Sequence, residues 1–214
     1  MEKIFLIDLF VSGGPVMIPI ALCSIFALAI VFERARFYMR NPNSGTATMK
    51  KVKAALATRN FFEAMKVCRA DNTPVATVIA AGLDNADLGR EHMLDVMRQE
   101  AMVQVKKYER HLNKLSTIAS ITPMLGLTGT VTGMISAFSV ISSVGIGDPT
   151  ALAGGISEAL YTTAAGLLVG IPALVAYNWC EARNAEFIEQ VEMHSLDLAN
   201  QIAAMEVGLE KVAA

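Results

Sequence analysis

Two hydrophobic patterns alternate along the chain: long uncharged runs, and stripes that recur every three or four residues. The first run lies between Asp8 and Glu33, 24 residues from Leu9 to Phe32, and its apolar part starts at Val16 behind a Gly13-Gly14-Pro15 break. A membrane-crossing helix needs about 20 apolar residues, so a first span is predicted over 13–33. A cleaved signal peptide fits poorly, because Asp8 interrupts its start and no small-x-small site follows. The second run holds 33 uncharged residues between Lys114 and Asp148. As a helix it measures about 50 Å, longer than the hydrocarbon core, so it projects beyond the bilayer. Its span is predicted over 115–142. The third run, Pro149 to Cys180, carries one charge, Glu158, and closes on Tyr177, Trp179 and Glu181. That aromatic end suits a membrane interface; the span is predicted over 156–180, leaving 143–155 as a short loop.

The remaining segments have helical periodicity. After the turn at 41–45, a helix is predicted from about Thr48 to Ala70 through Val52, Ala55, Leu56, Phe62 and Met65, stopped by Asp71-Asn72-Thr73-Pro74, with a shorter one to about Asn85. From Gly89, the apolar positions Met93, Met97, Ala101, Val105, Tyr108, Leu112 and Leu115 recur without a helix breaker. One helix running unbroken into span two is therefore expected. Residues 181–214 carry Phe187, Val191 and Leu198 at helical spacing and seven acidic residues from Glu181 to Glu210, a helix suited to lie beside a basic domain. Residues 1–12, with Ile4, Phe5, Leu6, Leu9 and Phe10 against Glu2, Lys3 and Asp8, suit a short interfacial helix.

Composition agrees with membrane insertion: 53% of residues are hydrophobic, 18% are charged and the mean hydropathy is +0.43, against about 45–50% and 25% in ordinary soluble domains. The distribution of charge sets orientation. Residues 34–114 hold 15 of the 18 lysines and arginines, whereas 142–155 hold none. The positive-inside rule places the 34–114 helical domain in the cytoplasm. With three spans the N-terminus is then outside and the C-terminal helix is back in the cytoplasm. A net charge of -2 without a basic stripe excludes a nucleic-acid partner. Cys23, Cys68 and Cys180 are scattered and odd in number, which argues against disulfides or a metal site. No nucleotide-binding, metalloprotease or nucleophile-elbow motif occurs, and His92, His111 and His194 are isolated, so no catalytic residues and no enzyme are expected.

The chemistry therefore lies within the spans. At 100° per residue, Thr122, Gly126, Gly129, Thr130, Gly133 and Ala137 share one sector of span two, opposite Leu127, Val131, Ile135 and Phe138. Gly129-x-x-x-Gly133 is a helix-packing motif, and Gly126, Gly166 and Gly170 are further packing candidates. Glu158 costs on the order of 2.5–3.5 kcal/mol at mid-membrane, which makes it a functional candidate by default. It shares a face with Thr162, Gly166 and Ala173, whereas Thr163 lies well round the helix. One carboxylate is a poor proton relay, and no other span offers a second, so the partner group should come from another polypeptide. Pro123 and Pro172 each free a carbonyl and are hinge candidates. A purely structural scaffold fits the small-residue stripes as well, and only Glu158 with its hydroxyl neighbours speaks for conduction.

The run Pro123-Met124-Leu125-Gly126-Leu127-Thr128-Gly129-Thr130-Val131, with Gly133-Met134, Ile156 to Leu167 and Ile171-Pro172-Ala173, resembles the MotA/TolQ/ExbB proton-channel family. Three spans, the Glu33-Arg34 pair and the cytoplasmic insert resemble its ExbB and TolQ branch. The resemblance implies a homopentamer in the bacterial inner membrane, with a periplasmic 143–155 loop, no cofactor, and protons as the transported ion. It implies single-span ExbD- or TolR-like partner helices bearing a membrane aspartate, a motor that performs mechanical work on a TonB- or TolA-like protein, and contact with membrane lipid. By resemblance the pore threonines fall on Thr130 and Thr163 and the membrane glutamate on Glu158, with Thr162 a further candidate.

Overall fold

The computed structural model describes residues 13–41, 45–71, 73–144 and 149–213. Every regular element among them is helical. In chain order these are α1 (Met17–Arg40), α2 (Thr46–Ala57), α3 (Phe61–Asp71), α4 (Pro74–Leu83), a 3-10 turn at Ala86–Leu88, α5 (Arg90–Glu109), α6 (Leu112–Val144) and α7 (Pro149–Ala213). Three helices are long and apolar enough to cross a membrane, and each contains most of one of the three predicted spans. The interfacial helix expected over 1–12 lies outside the described residues. The loop expected over 143–155 is shorter at its far end, because α7 already begins at Pro149, a residue whose missing N–H and fixed φ suit a first helical turn.

Two compact units emerge. The first comprises residues 1–35 and 111–180, the second 36–110 and 181–214. In the first, the three apolar helices close around two clusters. One joins Met17, Ile20 and Ala165 with Val16, Leu125, Tyr161 and Val169. The other joins Ala27, Ile30, Leu115, Ala119 and Ala173 with Ile118 and Tyr177. Where the charged residues return, Glu33 accepts from Arg34 at 3.4 Å and meets Nδ1 of His111 at 2.9 Å.

The second unit is a helical bundle with a water-soluble logic. Met49, Val52 and Leu56 of α2, Ala64 and Cys68 of α3, most of α4, and Met93, Met97 and Tyr108 of α5 are buried. The acidic C-terminal part of α7 packs against them through Phe187, Val191, Leu198 and Ile202. Phe187 stacks on Tyr108 with ring centroids 4.2 Å apart and planes 7° from parallel, a contact contributing about 0.5–1.5 kcal/mol beyond its area. Lys53 pairs with Asp197 at 2.8 Å, and Gln201 donates to the Lys53 carbonyl at 3.1 Å. Burial, reinforced by Asp71, pushes the Cys68 thiol up to about 11, and burial with Glu186 pushes the Tyr108 phenol up to about 12.

Two helices predicted as continuous are divided. The one expected from Thr48 to Ala70 breaks at Thr58-Arg59-Asn60, where Arg59 takes φ 55° and the Asn60 Oδ1 caps α3 by accepting from Glu63 N at 3.0 Å. The helix expected from Gly89 through span two breaks at Arg110-His111, with His111 at φ 66°. His111 then supplies the first carbonyl of α6, accepting from Leu115 N at 3.1 Å. The reverse holds beyond Cys180, where the third span and the C-terminal helix are one 65-residue element.

Candidate functional site

Small residues bring α6 and α7 into backbone contact, antiparallel along most of the first unit. A methyl added at Gly126 would stand 3.0 Å from the Thr162 carbonyl oxygen, 3.1 Å from Thr163 Cα and 3.3 Å from Gly166 Cα. One at Gly133 would stand 2.8 Å from the Gly155 carbonyl oxygen and 2.9 Å from Ala159 Cβ, and one at Gly166 2.9 Å from the Thr122 carbonyl oxygen. At Gly129 the space of a side chain is taken by the Thr162 hydroxyl and Cβ. Without hydrocarbon-driven association between helices in lipid, such close approach is what holds spans together.

The stripe of Thr122, Gly126, Gly129, Gly133 and Ala137 is thus buried against α7 of the same chain. Thr130, at its margin, is half-buried; its hydroxyl donates to the Leu127 carbonyl at 2.6 Å, and it borders an open groove with Val131, Met134, Ile135 and Phe138. Leu127, Val131, Ile135 and Phe138 remain exposed.

The neighbouring threonines of α7 have different roles. Thr162 is 1% exposed, and its hydroxyl donates back to the Glu158 and Ala159 carbonyls at 2.9 and 3.0 Å. Thr163 reaches across to α6, donating to the Gly126 carbonyl at 3.0 Å. The helical wheel favours Thr162 as the neighbour of Glu158, and through the backbone it is. It is also the hydroxyl with least room for water.

Glu158 lies one turn before Thr162, half-buried, and is the only Asp, Glu, Lys or Arg between Leu115 and Cys180 among the described residues. Its carboxylate is not aimed at the glycine stripe of α6. It rests against Gly14, occupying the place where a side chain there would begin. Gly14, in the turn that starts α1, has φ 65°, and its carbonyl accepts from Met17 N at 3.1 Å. This partner went unrecognised in the sequence; the Gly13-Gly14-Pro15 break was the available signal.

The two prolines sit inside helices. The Pro123 ring packs on Gly170, where an added methyl would meet its Cγ at 2.6 Å and the Ala119 carbonyl oxygen at 3.3 Å. That carbonyl is the one Pro123 leaves without its helical donor. Pro172 is exposed. Among the described residues no group of three or more His, Cys, Asp or Glu side chains is placed to hold a metal ion.

The sequence model of the MotA/TolQ/ExbB proton channel family matches residues 70–193. The chain is 35% identical over 176 residues to the putative biopolymer transport protein ExbB-like 1 of Synechocystis sp., a match covering 80% of this chain and 69% of that protein. It is 27% identical over 207 residues to the biopolymer transport protein ExbB of Neisseria meningitidis, covering 88% and 93%. To the Tol-Pal system protein TolQ of Pseudomonas aeruginosa it is 37% identical over 102 residues, covering 48% and 44%.

Proposed function

The chain belongs to the MotA/TolQ/ExbB proton channel family, in its ExbB/TolQ branch, and on that premise we propose that it is the pore-forming subunit of a proton-driven motor in the bacterial inner membrane. The observation that carries this reading is Glu158, a carboxylate held half-buried in an otherwise uncharged stretch of α7, beside hydroxyls that can donate and accept. Five copies surround single-span helices of an ExbD/TolR-like partner, each of whose carboxylates supplies a second station of the relay. Thr130 and Thr163 line the passage on the α6 and α7 sides, and Thr162 fixes the helix contact behind it. The N-terminus is periplasmic and the second unit cytoplasmic, in keeping with the distribution of basic residues.

Each proton descending the membrane potential releases about 2.3 kcal/mol per 100 mV. Partner and pentamer convert that into relative displacement, delivered to a TonB- or TolA-like periplasmic protein, in keeping with the biopolymer transport named for the relatives. The role is transport, with no covalent step. Two observations favour a scaffold without conduction: the small-residue stripe is consumed within the chain, and the Thr130 hydroxyl bonds its own helix. Proton flux into vesicles holding both subunits separates the two readings. Thr130→Val and Thr163→Val keep the shape of the side chain but delete the hydroxyl. Flux is expected to fall at least about tenfold in each, a rise of about 1.4 kcal/mol in the barrier, with the oligomer intact. Wild-type flux in both variants would leave the scaffold standing.

A further inference from the structure

Glu158 has a counterpart in its own chain that the family's pore does not call for. Its Oε1 lies where the Cβ of residue 14 would be, and an added methyl there would also meet the carboxyl carbon at 2.7 Å and Cγ at 3.4 Å. Gly14 is the residue that permits this twice over. It has no side chain to displace the carboxylate, and its φ of 65° is one that L side chains rarely adopt. The surrounding turn is fixed: Pro15 follows with its own φ constrained, and the Gly14 and Pro15 carbonyls accept from Met17 N and Ile18 N at 3.1 and 3.3 Å.

One turn further along α7 the same contact between α1 and α7 is closed by apolar groups. Tyr161, Ala165, Met17 and Ile20 pack together there with Val16 and Val169. The carboxylate therefore sits at the edge of this apolar contact between α1 and α7. We infer that Gly14 is a positioning residue of the proton path: it is the seat against which the Glu158 carboxylate is held at the start of α1, so that occupying this seat redirects the carboxylate and alters proton uptake without replacing any conducting residue. The inference rests on the reading of Glu158 as a station in the channel, given above.

The test uses the chain co-expressed with the ExbD/TolR-like protein of the same organism and reconstituted in vesicles, with flux measured against external pH. Gly14→Ala is expected to lower flux by on the order of tenfold, since small misplacements of a reacting group are costly, and to move the pH of half-maximal flux. Glu158→Asp withdraws the carboxylate by one methylene. In the Gly14→Ala background it is expected to restore flux towards the level of Glu158→Asp alone, and to restore assembly if Gly14→Ala prevents it. Gly14→Asn, which tolerates a left-handed backbone, is expected to be impaired like Gly14→Ala. Wild-type behaviour of Gly14→Asn, or no rescue by Glu158→Asp, would overturn the seat. Glu158→Gln separates the two claims. If it is inactive while Gly14→Ala conducts normally, the seat fails and the channel reading stands. If Glu158→Gln conducts like wild type, the reading of Glu158 itself fails.

Discussion

The two units are built from the same kind of element by opposite rules. In the first, the residues at the α6–α7 contact are Gly126, Gly129, Gly133, Ala137, Gly155 and Gly166, while large side chains such as Leu127, Ile135 and Phe138 point outward. In the second, the large side chains are inside, with Tyr108, Phe187, Met93, Met97 and Leu198 all at most 1% exposed, and the charges outside. The difference is the solvent. Burying apolar area against water stabilises by about 25 cal/mol per Å², but hydrocarbon gives no such return, and only closeness of approach and hydrogen bonds distinguish one helix contact from lipid. A large residue is therefore an asset in the core of the second unit and an obstacle in that of the first.

Substitutions that exchange the two rules should be the most damaging. Gly126→Leu places a side chain where backbone atoms of α7 stand 3.0–3.3 Å away, with no flexible neighbour to yield. It is expected to separate α6 from α7 and abolish the folded first unit, seen as full protease sensitivity of residues 112–180 in mild detergent. Survival of that unit would show that the contact is adaptable. Phe187→Ala is the reciprocal experiment, a large-to-small change at a residue 0% exposed. It is expected to cost about 3–5 kcal/mol, read as faster amide exchange across α2–α5 with exchange in the spans unchanged. Equal loosening of both units would dissolve the distinction between them.

A smaller effect comes from His194, 3% exposed on α7, where neither ring nitrogen meets a hydrogen-bonding group among the described residues. Burial holds its pKa below the ordinary 6.5; Asp197 opposes the shift and Lys53 adds to it. The neutral ring is thus favoured by folding. Above about pH 6.5 its stabilisation is complete, and as pH falls through that value the unfolded state gains the proton first, so stability declines. Amide exchange in the second unit of wild type relative to His194→Leu is expected to quicken between about pH 7.5 and about pH 5.5. A constant ratio would show that His194 is not the titrating group.

What the sequence revealed followed the same divide. Span existence was legible because length and absence of charge are one-dimensional properties, and the helical wheel gathered Thr122, Gly126, Gly129, Thr130, Gly133 and Ala137 on one face, of which all but Thr130 are buried. It could not say what covers that face, since a wheel contains no neighbour. The break at Asn60 had a local signature, Asn60 followed by Glu63, overlooked beneath a continuing apolar stripe. The break at Arg110-His111 had none, with neither Gly nor Pro nearby, and the contact that accompanies it, His111 to Glu33, is distant in sequence. The Glu158–Gly14 contact was hidden for the same reason. Each residue was conspicuous alone, as the charge in a span and as part of a break, and only the fold brings them together.

The second unit is interrupted in sequence, and this governs when it can exist. Residues 36–110 leave the ribosome well before Phe187, Val191 and Leu198, which complete their core, and the whole of residues 111–180 is made in between. At ordinary rates of synthesis that interval lasts on the order of several seconds. During it the early helices wait with Tyr108 and Met97 lacking their final cover. The second unit is therefore the last part of the molecule to close, and its closure reports that the polypeptide of all three spans has already been made.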